Sequence, residues 1–244
     1  LAPVDVVDCY RLTIHAFNLA ETLRCPVFIA SNKETGMTKE SFDMDAVPVP
    51  EIIDRTPYTS DAPFLPFAAR DDRSAPEYLP IGGPRLVRQT SSTHGRDGYI
   101  TVDREAIASN QGRLENKLLS AVDQFTFYDF FDADTDTLLI TYGVTSRAAQ
   151  TARAGLEAEG TLVAHLVLKT LWPVPENLIR EIVGRFRRVV VIEMNMGQYV
   201  REIQRVVGDK PVEFFGLMDG NLITPAQIKE KLAKEVLPHV QPAQ

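Results

Sequence analysis

From Asp136 to the C-terminus the chain alternates between two hydrophobic periods. Residues 137–142, 162–168, 189–193 and 212–216 are short, nearly continuous apolar runs, as strands buried on both faces require. Between and after them, 146–159, 175–184, 197–207 and 225–237 carry apolar residues at helical spacing. Strands alternating with helices predict an α/β domain, a three-layer arrangement around a sheet of four or five mostly parallel strands. Leu138, Ile140, Val163, Val190, Ile192 and Phe214 are its expected core. Thr224-Pro225-Ala226-Gln227 is a strong helix start, with a cap, Pro at the first helical position and a Gln able to bond back.

Upstream the pattern differs. Residues 5–23 read as a helix with Tyr10, Ile14 and Phe17 on one face and Leu12, Ala16, Leu19 and Leu23 on another. Two apolar faces predict a helix enclosed by protein. A short strand is expected over 27–31, yet no earlier strand exists to pair with it, and a lone strand is unstable in water. The chain opens at Leu1, almost directly into this helix, so a piece of something longer is expected. Residues 36–135 form a connecting segment. Eight of the sixteen prolines fall between 36 and 110 (Pro48, Pro50, Pro57, Pro63, Pro66, Pro76, Pro80 and Pro84), which argues against long regular elements. Phe42, Tyr58, Phe64, Phe67 and Tyr78 suit a strap lying on other surfaces. The segment ends in a helix predicted over 111–125, from Leu114, Leu118, Ala121, Val122 and Phe125.

Composition narrows the function. With 44% apolar and 24% charged residues the chain buries a real core. A net charge of −7 without a long basic stretch argues against nucleic acid as a partner. No apolar run suits a membrane span and no signal peptide is visible. Cys9 and Cys25, the two cysteines, fit a reducing cytoplasm and fall short of the four that an iron–sulfur cluster takes.

Candidate chemistry gathers where the third apolar run ends, at Glu193-Met194-Asn195-Met196-Gly197-Gln198. Asn195 as helix cap and Gln198 as third helical residue would make a capping box, with Gly197 keeping the turn open. That leaves Glu193, a carboxylate at the end of a buried strand, needing partners. Such strand ends are also where open α/β sheets bind ligands or neighbours. Asn32 and Lys33 follow the isolated strand and could face a ligand or only solvent. His94 could face a ligand or partner, or be an ordinary loop histidine. His15 reads as a packing residue, and neither His165 nor His239 suggests a site. Ile81-Gly82-Gly83-Pro84 reads as a turn, not a phosphate loop. No catalytic residue and no metal-spaced cluster emerge.

Several stretches nonetheless resemble one family in the right order. Leu171-Trp172-Pro173-Val174-Pro175 and Val190-Val191-Ile192-Glu193-Met194-Asn195-Met196-Gly197-Gln198 resemble the transketolase C-terminal-like domain of 2-oxoacid:ferredoxin oxidoreductase alpha subunits. Asp8-Cys9-Tyr10-Arg11-Leu12, Phe17-Asn18-Leu19-Ala20-Glu21 and Arg24-Cys25-Pro26-Val27-Phe28 look like the last helix and strand of the same subunit's pyrimidine-binding domain. Thr93-His94-Gly95-Arg96-Asp97-Gly98-Tyr99 and Arg113-Leu114-Glu115-Asn116-Lys117-Leu118 resemble the connecting segment. The resemblance implies three parts: 1–35, the end of a pyrimidine-binding domain; 36–135, the connecting segment; and 136–244, the transketolase C-terminal-like domain. It implies an oligomeric complex that oxidatively decarboxylates a 2-oxoacid such as 2-oxoglutarate or pyruvate. Thiamine diphosphate, Mg and iron–sulfur clusters would serve the full complex, with coenzyme A and ferredoxin as acceptors. Partners would be a beta subunit and upstream alpha or gamma segments. The glutamate that activates thiamine, the diphosphate motif and the cluster ligands have no counterpart here, so this chain alone is expected to bind none of those cofactors and to be inactive. Its expected role is structural and interface-forming. Alternatives are a purely architectural oligomerisation module, or the C-terminal domain of another thiamine enzyme such as a transketolase; the Pro-rich strap with Thr93-His94-Gly95 counts against the latter.

Overall fold

A computed structural model describes residues 1–233. Its centre is a five-stranded sheet in the order β1-β3-β2-β4-β5. The strands are β1 (Tyr128–Phe131), β2 (Thr137–Tyr142), β3 (Ala164–Leu168), β4 (Arg188–Glu193) and β5 (Glu213–Gly216). β2, β3, β4 and β5 run parallel, and β1 pairs antiparallel with β3. The expected parallel three-layer fold is therefore present, with one strand that its hydrophobic pattern did not announce. β1 lies ahead of Asp136, and its sequence, Tyr-Asp-Phe-Phe, carries a charge inside a four-residue run. An edge strand tolerates that charge because one of its sides is open.

Strand alternation sorts the core into two layers. Leu138, Ile140, Leu166, Val189 and Val191 face α5 (Glu176–Gly184) and α6 (Gln198–Val207). Leu139, Val163, Val190 and Ile192 face α4 (Thr145–Ala158) and α7 (Pro225–Ala233). Of the expected core residues, all are buried except Phe214, which packs half-buried against the first layer. At the start of α7 the reciprocal cap forms: Gln227 N–H donates to Thr224 Oγ1 (3.3 Å) and Thr224 N–H to Gln227 Oε1 (2.9 Å). The helix expected over 225–237 is described to Ala233, and its remainder, with His239, lies outside the described residues.

Upstream, α1 (Val6–Leu23) begins at Asp5, whose carboxylate accepts from Asp8 N–H (2.8 Å). Leu12, Ala16 and Leu23 are buried, but Phe17 on the other face is 69% exposed. The expected enclosure is thus incomplete: on the second face Tyr10 and Ile14 are half-buried, Tyr10 against Phe42 of the strap, and Phe17 is left bare. The strand expected over 27–31 does not form. This stretch is extended and pairs only with Leu1: Ala30 N–H donates to the Leu1 carbonyl (2.7 Å) and the Leu1 amine to the Phe28 carbonyl (2.7 Å). One residue on one side is no ladder.

A short helix, α2 (Lys33–Met37), follows directly. The helix expected over 111–125 is displaced toward the N-terminus. α3 spans Arg104–Leu119, starting at Asp103, whose carboxylate accepts from Ala106 N–H (2.8 Å), and Val122–Phe125 is a separate 3-10 turn. The N-terminal cap outweighed the apolar positions, and Lys117 rather than Leu114 is the buried residue, its Nζ bonded to the Leu23 carbonyl. The strap itself lies on α1. Asn18 donates to Glu51 O (2.6 Å) and accepts from Ile53 N–H (2.9 Å), while Glu21 pairs with Arg55 at 2.5 Å. Among its aromatic residues, Tyr58 packs on Phe64 within the strap and Phe42 packs on Tyr10 of α1. No described helix is long and apolar enough to cross a membrane.

Candidate functional site

The carboxyl edge of the parallel strands carries the polar cluster. β4 is buried through its last residue, so the Glu193 side chain, 1% exposed, cannot reach water. Its carboxylate instead collects four donors. Oε2 accepts from the Tyr142 hydroxyl (2.8 Å), Asn195 Nδ2 (2.7 Å) and Tyr199 N–H (3.0 Å); Oε1 accepts from Val200 N–H (2.8 Å). Tyr199 and Val200 stand in the first turn of α6, where helical N–H groups have no internal acceptor. Glu193 thus satisfies two of them, and its charge meets the positive end of the helix. No basic side chain takes part.

Asn195 and Gln198 complete the turn, but not as the expected box. α6 starts at Gln198, so Gln198 is the first helical residue rather than the third. Asn195 Oδ1 accepts from Gly197 N–H (2.7 Å) and Gln198 N–H (3.2 Å), while Gln198 Oε1 accepts from Met196 N–H (3.0 Å). Gly197 holds φ at +83°, the left-handed conformation that glycine adopts without penalty and that shifts the helix start. Gln198 faces solvent.

Tyr142 is the member that sequence reasoning missed. Its hydroxyl donates to Glu193 and accepts from Asn195 Nδ2 (2.7 Å), and its ring packs edge-on against Tyr199 at 5.4 Å. The signal was available: β2 and β4 pair with Ile140 opposite Val191, so two residues further on Tyr142 stands opposite Glu193. Burial, then the hydrogen bond and charge of Glu193, drive the Tyr142 hydroxyl far above its usual pKa. Tyr199 is raised as well, first by burial and then by Glu202 and Glu193. Both phenols are therefore held as neutral donors.

Asn32 joins this edge from the other half of the chain. Its Oδ1 accepts from Val144 N–H (3.1 Å) at the start of α4. It sits 2.9 Å from where a Cβ on Gly143 would lie, and Gly143 has φ of +59°, so the close approach depends on glycine. Lys33 starts α2 and is exposed. His94 stands apart from the cluster, in the strap, its ring tilted against Phe67 at 3.7 Å, with Nδ1 donating to the Gly95 carbonyl (3.0 Å). Of the six candidates, Glu193, Asn195, Gln198 and Asn32 line the strand ends, Lys33 adjoins them, and His94 does not.

A second polar group lies inside the α4 layer. Thr141 Oγ1 shares hydrogen bonds with Ser146 Oγ (2.8 Å) and His165 Nε2 (2.7 Å), and all three residues are fully buried. Burial, helped by the Arg153 charge, lowers the His165 pKa to about 3. A neutral imidazole sealed from solvent suits packing. His15, its ring tilted against Phe127 at 4.4 Å, is likewise lowered by burial and then by Arg11. Among the described residues no three His, Cys, Asp or Glu side chains are grouped to hold a metal ion. Cys9 and Cys25 are separate half-buried thiols, both raised in pKa, chiefly by burial.

A family model described as pyruvate:ferredoxin oxidoreductase core domain II matches residues 135–228. The 2-oxoglutarate synthase subunit KorA of Methanothermobacter marburgensis is 31% identical over 239 residues, covering 95% of this chain and 62% of that protein. The ketoisovalerate oxidoreductase subunit VorB of Methanothermobacter thermautotrophicus is 27% identical over 232 residues, covering 95% and 58%. A solved 2-oxoglutarate:ferredoxin oxidoreductase from Magnetococcus marinus, with 2-oxoglutarate, coenzyme A and succinyl-CoA bound, superposes with a TM-score of 0.81 at 24% identity. That match covers 95% of this chain and 41% of the other and shows the shared fold. The chain spans 62% of the length of the KorA relative and 58% of the VorB relative.

Proposed function

We propose that this chain, a homologue of the KorA and VorB subunits along nearly its whole length, acts within a 2-oxoacid:ferredoxin oxidoreductase of the alpha-subunit type. The carrying observation is the 31% identity to a 2-oxoglutarate synthase subunit over 95% of the chain. In this reading the complex uses thiamine diphosphate, magnesium and iron–sulfur clusters and works in the cytoplasm, with a beta subunit, ferredoxin and coenzyme A as partners. Two cysteines are fewer than the four that an iron–sulfur cluster takes, which supports a reading in which the clusters sit elsewhere in the complex. The chemistry is therefore assigned to the complex, and this chain's part is architectural.

The interface role rests on the carboxyl edge. The loops after β3, β4 and β5 present large apolar side chains to solvent, foremost Trp172 at 75%, Met196 at 74% and Met218 at 72% exposure. Three such residues on one edge favour a protein contact over a solvated rim. Glu193, Asn195 and Tyr142 fix the turn that presents Met196, so they act on the interface by holding its backbone.

The test is reconstitution. The chain is purified alone and with a beta-type partner, then supplied with thiamine diphosphate, magnesium, coenzyme A, 2-oxoglutarate or pyruvate, and a viologen. No turnover by the isolated chain and co-purification with the partner are expected, with Trp172→Glu/Met196→Glu weakening co-purification. Turnover by the isolated chain would refute the architectural reading, and absence of any partner binding would refute the interface.

A further inference from the structure

Among the described residues, three strap arginines lie on tyrosine rings. Arg55 sits over Tyr78 at 5.4 Å, Arg85 over Tyr58 at 5.7 Å and Arg88 over Tyr99 at 3.8 Å. Arg55 pairs with Glu21, and Arg85 with Asp61 at 3.5 Å. Arg88 breaks the pattern. It has the closest ring and no carboxylate, and among the described residues no acceptor is bonded to its guanidinium. Its Nε is shut off from solvent without a partner, and the side chain lines a cavity of about 470 Å³.

This side chain is held in place before anything binds. Its stem lies over Gly98, at φ +82°, where a Cβ would come 3.1 Å from Arg88 Cγ and 3.2 Å from Arg88 Cδ and from a Phe67 ring carbon. The guanidinium rests on the Tyr99 ring, so little side-chain entropy is left to lose on binding. Fixed in this way and lacking an acceptor, it offers a planar fork that matches a carboxylate. Phe64, Pro66 and Leu86 supply hydrocarbon to the cavity wall, and Leu86 is 78% exposed. A large uncovered apolar residue beside an Arg–Tyr stack has the composition of a protein contact.

We propose that the strap cavity docks a partner polypeptide, an Asp or Glu of the partner forking onto Arg88 and a neighbouring apolar residue entering the cavity against Phe64, Pro66 and Leu86. Charge limits the occupant to one carboxylate. Asp61 and Asp97 also border the cavity. Asp61 is matched by Arg85, and Asp97 accepts from Tyr99 N–H (3.0 Å), which leaves Arg88 as the cavity's unanswered cation. A phosphate dianion would bring a second negative charge against Asp97. The site lies on the strap and not at the strand ends, so it stands whether or not Trp172, Met196 and Met218 form an interface.

The experiment titrates the full chain with a blocked peptide of sequence Gly-Leu-Glu-Leu-Gly, with its Gln counterpart, and with phenyl phosphate. NMR follows the Arg88 Nε–H and the Tyr99 ring. Saturable shifts with the Glu peptide are expected, at an affinity about tenfold or more above the Gln peptide, the equivalent of one charge-assisted hydrogen bond. Arg88→Gln should erase that preference, and Arg88→Lys, which keeps the charge but not the fork, should weaken the Glu peptide. Leu86→Asp, at an exposed position outside the core, should weaken both peptides while leaving the fold intact. Failure to saturate, equal affinity for the two peptides, or a preference that survives Arg88→Gln would overturn the proposal. Phenyl phosphate binding as tightly as the Glu peptide would overturn the polypeptide as occupant.

Discussion

Replacing Glu193 by Gln exposes the logic of the β4–α6 turn, because shape is kept and only acceptor capacity changes. Four donors converge on the carboxylate, an arrangement suited to the acceptor-only ionised form. An amide offers one oxygen and one NH2. The better orientation keeps oxygen toward Tyr142, Asn195 and Tyr199 and turns NH2 toward Val200 N–H, donor against donor. That loses one hydrogen bond to a charged group, about 1.5–3 kcal/mol, and leaves buried donors unpaired at about 1–3 kcal/mol. The interaction with the α6 dipole weakens by a further few tenths to about 1 kcal/mol. Relief from burying a charge offsets part of the sum. A net loss of about 3 kcal/mol is expected, and for a chain of this size each kcal/mol lowers Tm by about 2–4 °C.

Urea unfolding followed by far-UV circular dichroism measures it as a fall in midpoint at constant slope. Tyr142→Phe removes one donor to Glu193 and one acceptor for Asn195 Nδ2 and should cost about 1–3 kcal/mol. The two losses should not add, since Tyr142 donates directly to Glu193, and a double-mutant cycle reads that coupling. Glu193→Gln within about 0.5 kcal/mol of the parent, the range of ordinary surface changes, would refute the view that this carboxylate holds the turn.

Two further outcomes follow from other parts of the edge. Asn32→Ala should cost about 1 kcal/mol, as loss of a cap does, and should raise amide exchange in Lys33–Met37 more than in the sheet; uniform protection would show that Asn32 does not hold α2 in place. For His165 the folded pKa of about 3 lies below its ordinary 6.5, so the folded state prefers the neutral ring. Its contribution is complete above pH 6.5 and declines as the unfolded chain takes up the proton on acidification toward pH 3. At about 1.4 kcal/mol per pH unit, this one group should remove about 2 kcal/mol between pH 7 and pH 5. His165→Gln should flatten that part of the stability–pH curve, and an unchanged slope would contradict the assignment.

The sheet could be read from the sequence because its central strands are buried on both faces. Val-Val-Val-Ile at 189–192 and Leu-Leu-Ile at 138–140 leave little choice but parallel strands, and the helices between them follow from spacing. β1 escaped because an edge strand relaxes that demand, allowing Asp129 amid aromatic residues. The stretch 27–31 misled in the opposite direction, since apolar and β-branched residues describe a strand only when a neighbour completes the ladder. In α3 the decisive signal was Asp103, a polar cap, while the apolar tally pointed seven residues downstream. At the site, Glu193 stood out because a carboxylate ending a buried run needs a reason. Tyr142 did not, since an aromatic residue ending a strand is unremarkable until the β2–β4 register sets it opposite Glu193.

How the N-terminal third is fastened explains why the carboxyl edge is uneven. Lys169, just past β3, pairs with Asp8 of α1 and with Asp129 of β1, each at 2.8 Å. Burial alone would lower its pKa, but the two carboxylates outweigh it and hold it above its usual value. Asn32 binds the turn after β2. The edge is thus clamped by the chain itself at β2 and β3 through polar contacts, two of which, Lys169–Asp8 and Val144–Asn32, join residues more than a hundred apart in sequence. Contacts of this kind fix position as much as they stabilise, the neutral Asn32 bond contributing about 1 kcal/mol net and bonds to charged groups about 1.5–3 kcal/mol. Asn32 holds the start of α2 against the turn after β2, and Lys169 holds α1 against β1. Beyond the clamp, Trp172, Met196 and Met218 stand uncovered, and the outer face of α1 leaves Phe17 bare. The chain spends its polar contacts on alignment and leaves the large apolar residues outward, an arrangement suited to a surface that other polypeptide is to cover.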